Sequence, residues 1–310
     1  DSIPPAIADL KNVAYLYLSF NNLKTIPDEI SELKSLIRFT VHYNQLNSIP
    51  ESIGNLKDLQ WFQADNNNLT EIPNSIGNLT KLTHLTLGEN SIGRLPTTIG
   101  NLTNLEFLEL RANNLKELPK EIGQLLNVWF LSLDSNKIGT LPKKKVRTLN
   151  VKDNRLTELP IEIAELKNLT HLTVDGNMLT DFQGIALPNS LQWLTASKNK
   201  ISEIDNSIVN LDGLIHIDLS DNKIISIPNG ISKMKGLKNL VLSNNEIKEL
   251  PSDLFDMERL ETIDIRNNQI NEIPDRIKEL KNLKYLGLKG NPINDIESIK
   301  KLLPTTTVDY

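Results

Sequence analysis

Apolar residues recur along this chain in one frame. From Leu82 the order is Leu82-x-x-Leu85-x-Leu87-x-x-Asn90-x-Ile92, then Leu95-Pro96, then Ile99 and Leu102. The next unit repeats it through Leu105, Leu108, Leu110, Asn113, Leu115, Leu118-Pro119, Ile122 and Leu125. Two hydrophobic periods alternate within each unit. The Leu85-x-Leu87 step alternates apolar and polar residues, which predicts a short strand with one face buried. The Pro-x-x-Ile-x-x-Leu half predicts a helical or 3-10 turn with an inward apolar face, started by a proline whose φ is already fixed.

Asparagine marks the register. It stands at positions 21, 44, 67, 90, 113, 136, 154, 177, 199, 222, 245, 268 and 291, giving 13 units; ten of the 12 spacings are 23 residues, and the others are 18 and 22. Its side chain carries two donors and an acceptor, so it can satisfy backbone groups where the chain leaves each strand. Leucine, of similar size, could satisfy none. A single unit cannot bury its own apolar face, so neighbours must stack. The expectation is one solenoid domain over residues 1–310, irregular over about 137–205, with a C-terminal cap over 296–310.

These motifs are similar to those of the leucine-rich repeat family, and the resemblance covers essentially the whole chain. The Ile/Leu-Pro-x-x-Ile-x-x-Leu half resembles the 23-residue repeats of bacterial surface and secreted proteins, leptospiral ones among them, and those of the Ras-group proteins. The resemblance implies an α/β repeat solenoid: a leucine-rich-repeat horseshoe with a concave parallel sheet and short helical or 3-10 convex turns. It implies binding of macromolecules and no shared chemistry.

The pattern breaks in five places. The 18-residue unit loses part of its outer half where Pro142 is followed by Lys143-Lys144-Lys145, a run read as a solvated loop. Phe182-Gln183 and Ile204-Asp205 replace the Ile-Pro step in two units. Ser298 to Pro304 predicts a short amphipathic helix, and Thr305 to Tyr310 a final edge strand. Ile3-Pro4-x-x-Ile7-x-x-Leu10 is the back half of a repeat without its front, which leaves an uncapped N-terminal edge.

Composition narrows the function classes. The 310 residues carry 39 acidic and 34 basic side chains, and this net acidity speaks against nucleic acid as a partner. Cysteine is absent, so disulfides, cysteine-ligated zinc and thiol catalysis are excluded. No apolar run reaches the roughly 18 residues of a membrane span. The four histidines lack helical zinc spacing, and His171 and His216 lie two strands apart, about 10 Å, with Trp193 between them. No metal, cofactor or enzymatic constellation stands out. Four Asn-Leu-Thr sequons, at Asn68, Asn78, Asn101 and Asn168, are by-products of the repeat itself.

The functional signal lies in the residues that alternate outward from the strands. The third repeat position reads Tyr15, Arg38, Trp61, His84, Phe107, Phe130, Thr148, His171, Trp193, His216, Asn239, Thr262 and Tyr285. Six of these 13 are aromatic, in a chain with 5% aromatic residues. Tyr17, Phe20, His42, Tyr43, Glu109 and Arg111 neighbour that column. A contiguous aromatic stripe marks an interaction surface more than scattered rings do. The expected anchors are Tyr15, Trp61, Phe107 and Phe130. Arg38, Glu109 and Arg111 would set orientation, and His171, Trp193 and His216 form a second, smaller candidate.

The expected function is recognition of a protein partner. The alternatives are a glycan-binding or cell-surface adhesin, and the substrate-recognition part of a larger secreted effector enzyme. A homo-oligomer through the uncapped N-terminal edge is a further option. A bacterial secreted or cell-surface location is expected, with the cytoplasm as the alternative.

Overall fold

The computed structural model describes residues 2–139 and 146–310. The chain forms two compact units, Asp1–Asn154 and Arg155–Tyr310. The shortened step at Pro142 and Lys143-Lys144-Lys145 lies outside the described residues.

Unit 1 contains seven three-residue strands: β1 (Tyr15–Tyr17), β2 (Arg38–Thr40), β3 (Trp61–Gln63), β4 (His84–Thr86), β5 (Phe107–Glu109), β6 (Phe130–Ser132) and β7 (Thr148–Asn150). Each pairs in parallel with the next, in a register that sets Tyr15 beside Arg38, then Trp61, His84, Phe107, Phe130 and Thr148. Unit 2 repeats the plan with β8 (His171–Thr173), β9 (Trp193–Thr195), β10 (His216–Asp218), β11 (Asn239–Val241), β12 (Thr262–Asp264), β13 (Tyr285–Gly287) and β14 (Thr307–Asp309). Its strands are also parallel and in sequence order. Parallel neighbours need a crossover, and the outer half of each repeat supplies it.

The crossovers are mostly five-residue 3-10 turns whose N-cap is the expected proline, as at Pro50, Pro73, Pro96 and Pro119. The inward residues of one repeat, Leu82, Leu85, Leu87, Ile92, Ile99 and Leu102, are fully buried. In β2 and β3 phenylalanines take the central position, and Phe39 stacks on Phe62 within the core at 5.6 Å. Close approach of successive turns demands a small residue at Gly77, where a Cβ would sit 2.4 Å from the carbonyl oxygen of Thr98.

The asparagine ladder carries the polar load. Asn67 donates from its amide to the carbonyls of Val41, Ala64 and Asp65 at 3.0–3.1 Å and accepts from the Leu46 amide at 2.9 Å. It thus ties its own repeat to the preceding one, and a buried side chain without such partners would be costly. The residue before each asparagine adopts the left-handed conformation, with φ of 58° at Phe20, 53° at Tyr43, 51° at Glu89 and 54° at Lys198. Glycine fills this place only at Gly176 and Gly290.

The irregular rows keep their inward residues. Phe182 is buried where an isoleucine normally sits. Between β9 and β10 a four-residue helix, α1 (Asn206–Val209), replaces the 3-10 turn. At the C-terminal side, helix α2 (Ile296–Leu302) begins two residues before Ser298, because Asp295 caps it by accepting from the Ser298 amide. The terminal segment pairs as β14 with β13.

Candidate functional site

On the sheet face of unit 1, the third-position side chains form a ladder of parallel rings across neighbouring strands. The Arg38 guanidinium lies 4.1 Å over the Trp61 ring. Trp61 and His84 stack at 3.9 Å and 6°. His84 and Phe107 follow at 5.8 Å, and Phe107 and Phe130 at 4.3 Å and 2°. The strand register dictates this continuity: residues in one column repeat at about 4.8 Å, near the spacing of stacked rings. Trp129 meets Phe107 and Phe130 edge-on at 6.1 and 6.0 Å and is 44% exposed.

A second aromatic group lies at the first two strands. Phe20 and Tyr43 stack at 4.6 Å and 8°, with His42 edge-on to Phe20 at 5.2 Å. Ser19 Oγ lies 2.9 Å from Nδ1 of His42 and holds the ring. Phe20 is 72% exposed and Tyr43 48%; Tyr15 and Tyr17 are 59% and 60% exposed. Bulky residues in the left-handed region are strained, so two exposed aromatic rings held there are a costly arrangement for folding alone.

Carboxylates line the same face farther along. Arg111 pairs with Glu109 at 2.6 Å and with Glu89 at 2.5 Å. Asp65 accepts from the Thr86 hydroxyl and from the Gly88 amide at 2.8 Å. Asp134 accepts from the Ser132 hydroxyl and from the Asn150 amide group at 3.1 Å. Burial raises the Glu109 carboxyl, opposed by its bond to Arg111. Burial likewise lowers the His84 imidazole, with the Arg38 charge adding to the effect and Glu106 opposing it.

In unit 2, His171, Trp193 and His216 stack in register at 6.2 and 3.9 Å. Burial lowers His216, against Asp218 and Asp175. The two histidines sandwich the indole. Among the described residues no group of three or more His, Asp or Glu side chains is placed to hold a metal ion.

Models of the leucine-rich repeat region match residues 1–89, 40–109 and 74–146, and a leucine rich repeat model matches 189–247 and 235–293. A leucine-rich repeat protein of Leptospira interrogans superposes with a TM-score of 0.92 at 35% identity, over 100% of this chain and 81% of that one. The chain belongs to the leucine-rich repeat family. Among other solved leucine-rich repeat structures, the plant peptide hormone receptor RGFR1 in complex with RGF2 aligns at 32% identity and TM-score 0.79, over 94% of this chain and 50% of that one. YopM from Yersinia enterocolitica aligns at 26% identity and TM-score 0.64, over 92% and 61%. No curated protein matches significantly.

Within this leucine-rich repeat frame, the third-position column of unit 1 is one physical row, as its alignment in sequence predicts. Phe20, Tyr43 and His42 lie apart from that row as their own cluster. Trp129 is the residue that the column reading passes over. It precedes the strand by one position, where alternation predicts no outward side chain, and the adjacent pair Trp129-Phe130 is the signal that marks it.

Proposed function

We propose that this chain is a recognition module for a protein partner, and that the partner binds the sheet face of unit 1. The observation that carries this reading is the row Arg38, Trp61, His84, Phe107 and Phe130, held ring on ring by five consecutive strands. Such a surface is ordered before binding, so little side-chain entropy is lost on association. Tyr15, Tyr17 and Tyr43 add exposed rings of the kind that dominate interface energies. Glu109 and Arg111 fix orientation through charge. The leucine-rich repeat receptor RGFR1, solved with RGF2, supports recognition as the class of function.

The stacking favours a protein over a glycan. Sugars bind aromatic side chains through ring faces, and the faces of Trp61, His84 and Phe107 are covered by one another. What these rings present outward is their edges, which suit carbonyl oxygens and other rings. The row in unit 2, His171, Trp193 and His216, is a smaller surface of the same type. A secreted or surface-exposed bacterial protein fits the Leptospira relative. Among the described residues no helix is long and apolar enough to cross a membrane.

The test is affinity capture from candidate host and cognate-cell lysates and membranes. Wild type runs beside a Tyr15→Ala, Trp61→Ala, Phe107→Ala variant, after circular dichroism establishes that both fold. The expected result is a protein captured by wild type and lost from the variant. Equal capture by both would remove the unit 1 face from the reading.

A further inference from the structure

The proposed protein-binding face is not uniform, and its asymmetry selects a partner chemistry. Its first two strands present Tyr15, Tyr17, Phe20, His42 and Tyr43 without a carboxylate among them, beside Arg38, whose guanidinium is turned onto Trp61. From the third to the sixth strand, each strand's end or the turn just after it carries a carboxylate. Glu89 and Glu109 pair with Arg111, while Asp65 and Asp134 accept from the Thr86 and Ser132 hydroxyls, so four negative charges against one positive leave three net negative charges on this stretch. Lys152, beside Asp153 at 3.9 Å, ends it at the seventh row. The apolar and acidic parts share a border. Tyr43, Asn66 and Glu89 line one shallow depression of about 390 Å³ on the turns that leave the strands.

The left-handed column adds an independent observation. Thirteen repeats place a residue there, and eleven do so with Gly, Asn, Asp, Glu, Ser, Ala or Lys. Only Phe20 and Tyr43 break that rule, in adjacent repeats, with their rings exposed and stacked on each other. Strain kept at an exposed position points to a contact made outside the chain.

We infer that the occupant of this face is an extended, cationic polypeptide segment with an apolar anchor, the anchor resting on Phe20 and Tyr43 and a lysine or arginine reaching the carboxylates beyond. This rests on the reading that the unit 1 face binds a protein. Tyr43 is two strands from Glu89 and four from Asp134, about 10 to 19 Å at the usual strand spacing. An extended chain covers that distance in about three to six residues, which sets the separation between anchor and base. Arg111 narrows the fit further: it spaces Glu89 and Glu109 as acceptors, while a second acidic group would meet three net charges of its own sign.

The test is selection from a displayed random library of about a dozen residues per peptide, using the full chain as bait. The expected winners carry net positive charge and an aromatic or large aliphatic residue about three to six positions from a lysine or arginine. Two variants then separate the claims. Phe20→Ala with Tyr43→Ala removes the anchor. Asn66→Lys with Ser135→Lys cuts the local charge from three net negative to one, at positions where a lysine is accommodated, since Lys198 holds the same place in unit 2 with φ 54°. Both are expected to weaken the selected peptides at least about tenfold, and added salt to weaken them further. Peptides that need Phe20 and Tyr43 but are neutral or acidic, and indifferent to the two lysines, would overturn the inference and leave protein recognition standing. A library that yields no peptide sensitive to Phe20, Tyr43 or Trp61 would overturn both.

Discussion

The two units are built from the same inward residues and differ in what they show outward. In unit 1 the outward row is an arginine and four rings in continuous stack, with a strained aromatic pair beside it. In unit 2 the row shrinks to His171, Trp193 and His216, and farther along its polar groups satisfy one another. Lys238 and Lys284 flank Glu261 and hold its carboxyl down at about 2. Arg266 binds Asp264 at 2.7 Å and Asp309 at 3.5 Å, and the Tyr285 hydroxyl donates to Asp309 at 3.2 Å. A repeat frame therefore leaves its outward letters free. One unit spends them on internal pairing, and the other leaves exposed rings and net charge on its face.

The largest expected effect breaks that comparison directly. Tyr15→Ala, Trp61→Ala and Phe107→Ala together are expected to weaken partner binding at least about a hundredfold, since buried aromatic anchors each contribute about 2 kcal/mol or more. His171→Ala, Trp193→Ala and His216→Ala together are expected to change it less than about threefold, because truncations outside an interface are near neutral. Titration of the captured partner against both triple variants measures this. Equal losses would mean that the units share the binding work.

The next effect tests whether the frame is as uniform as the outward residues are not. Asn113 donates to Leu87, Leu110 and Arg111 and accepts from Ile92. Asn245 does the same with Leu219, Leu242, Ser243 and Ile224. Replacing either by alanine strands buried backbone groups and is expected to cost about 2–3 kcal/mol, equally in both units. Urea unfolding with hydrogen exchange reads this locally. A cost confined to one unit would show that the ladder is not a common support.

How much of this was legible in the sequence follows from what repetition encodes. Strands, turns and ladder depend on residues at fixed spacing, such as Leu85, Pro96 and Asn90, so each could be placed by counting. The third-position column was legible for the same reason, because register makes one column one row. The left-handed column was less so: Gly176 and Gly290, with Asn or Asp at five other positions, favour it, but the turn geometry also imposes it on residues as unlike as Phe20 and Lys198. Ring orientation was hidden too. Nothing in the spacing of Trp61 and His84 says that their faces meet rather than project, or that Arg111 is held between Glu89 and Glu109.

A smaller effect measures the strain that unit 1 carries. Asp221 occupies the left-handed position in unit 2 with φ 53° and is exposed. Asp221→Phe is expected to destabilise the chain by about 1–2 kcal/mol, the cost of a bulky side chain in that region. Phe20→Asn should gain roughly as much and lose about 1 kcal/mol with the Tyr43 ring contact, for a net gain of about 0–1 kcal/mol. Thermal unfolding of the two variants compares them. A neutral Asp221→Phe would mean that the Phe20–Tyr43 pair is unstrained and that its exposure alone marks the surface.

The smallest effect concerns two histidines in matching places. His84 lies against Trp61 and His216 against Trp193, both at 3.9 Å, and burial lowers both imidazoles below their usual 6.5. A histidine lowered in the folded state binds fewer protons there than in the unfolded chain. Stability is therefore full above about pH 6.5 and falls as pH drops from there through the folded value. Each indole supplies part of the desolvation. Trp61→Ala is expected to move His84 back up toward its ordinary range and leave His216 in place, and Trp193→Ala to do the reverse. NMR titration of the imidazole carbons follows both in one experiment. If Trp61→Ala leaves His84 low, then Arg38, whose charge acts in the same direction, sets the proton affinity. The unit 1 row would then differ from that of unit 2 in electrostatics as well as in length.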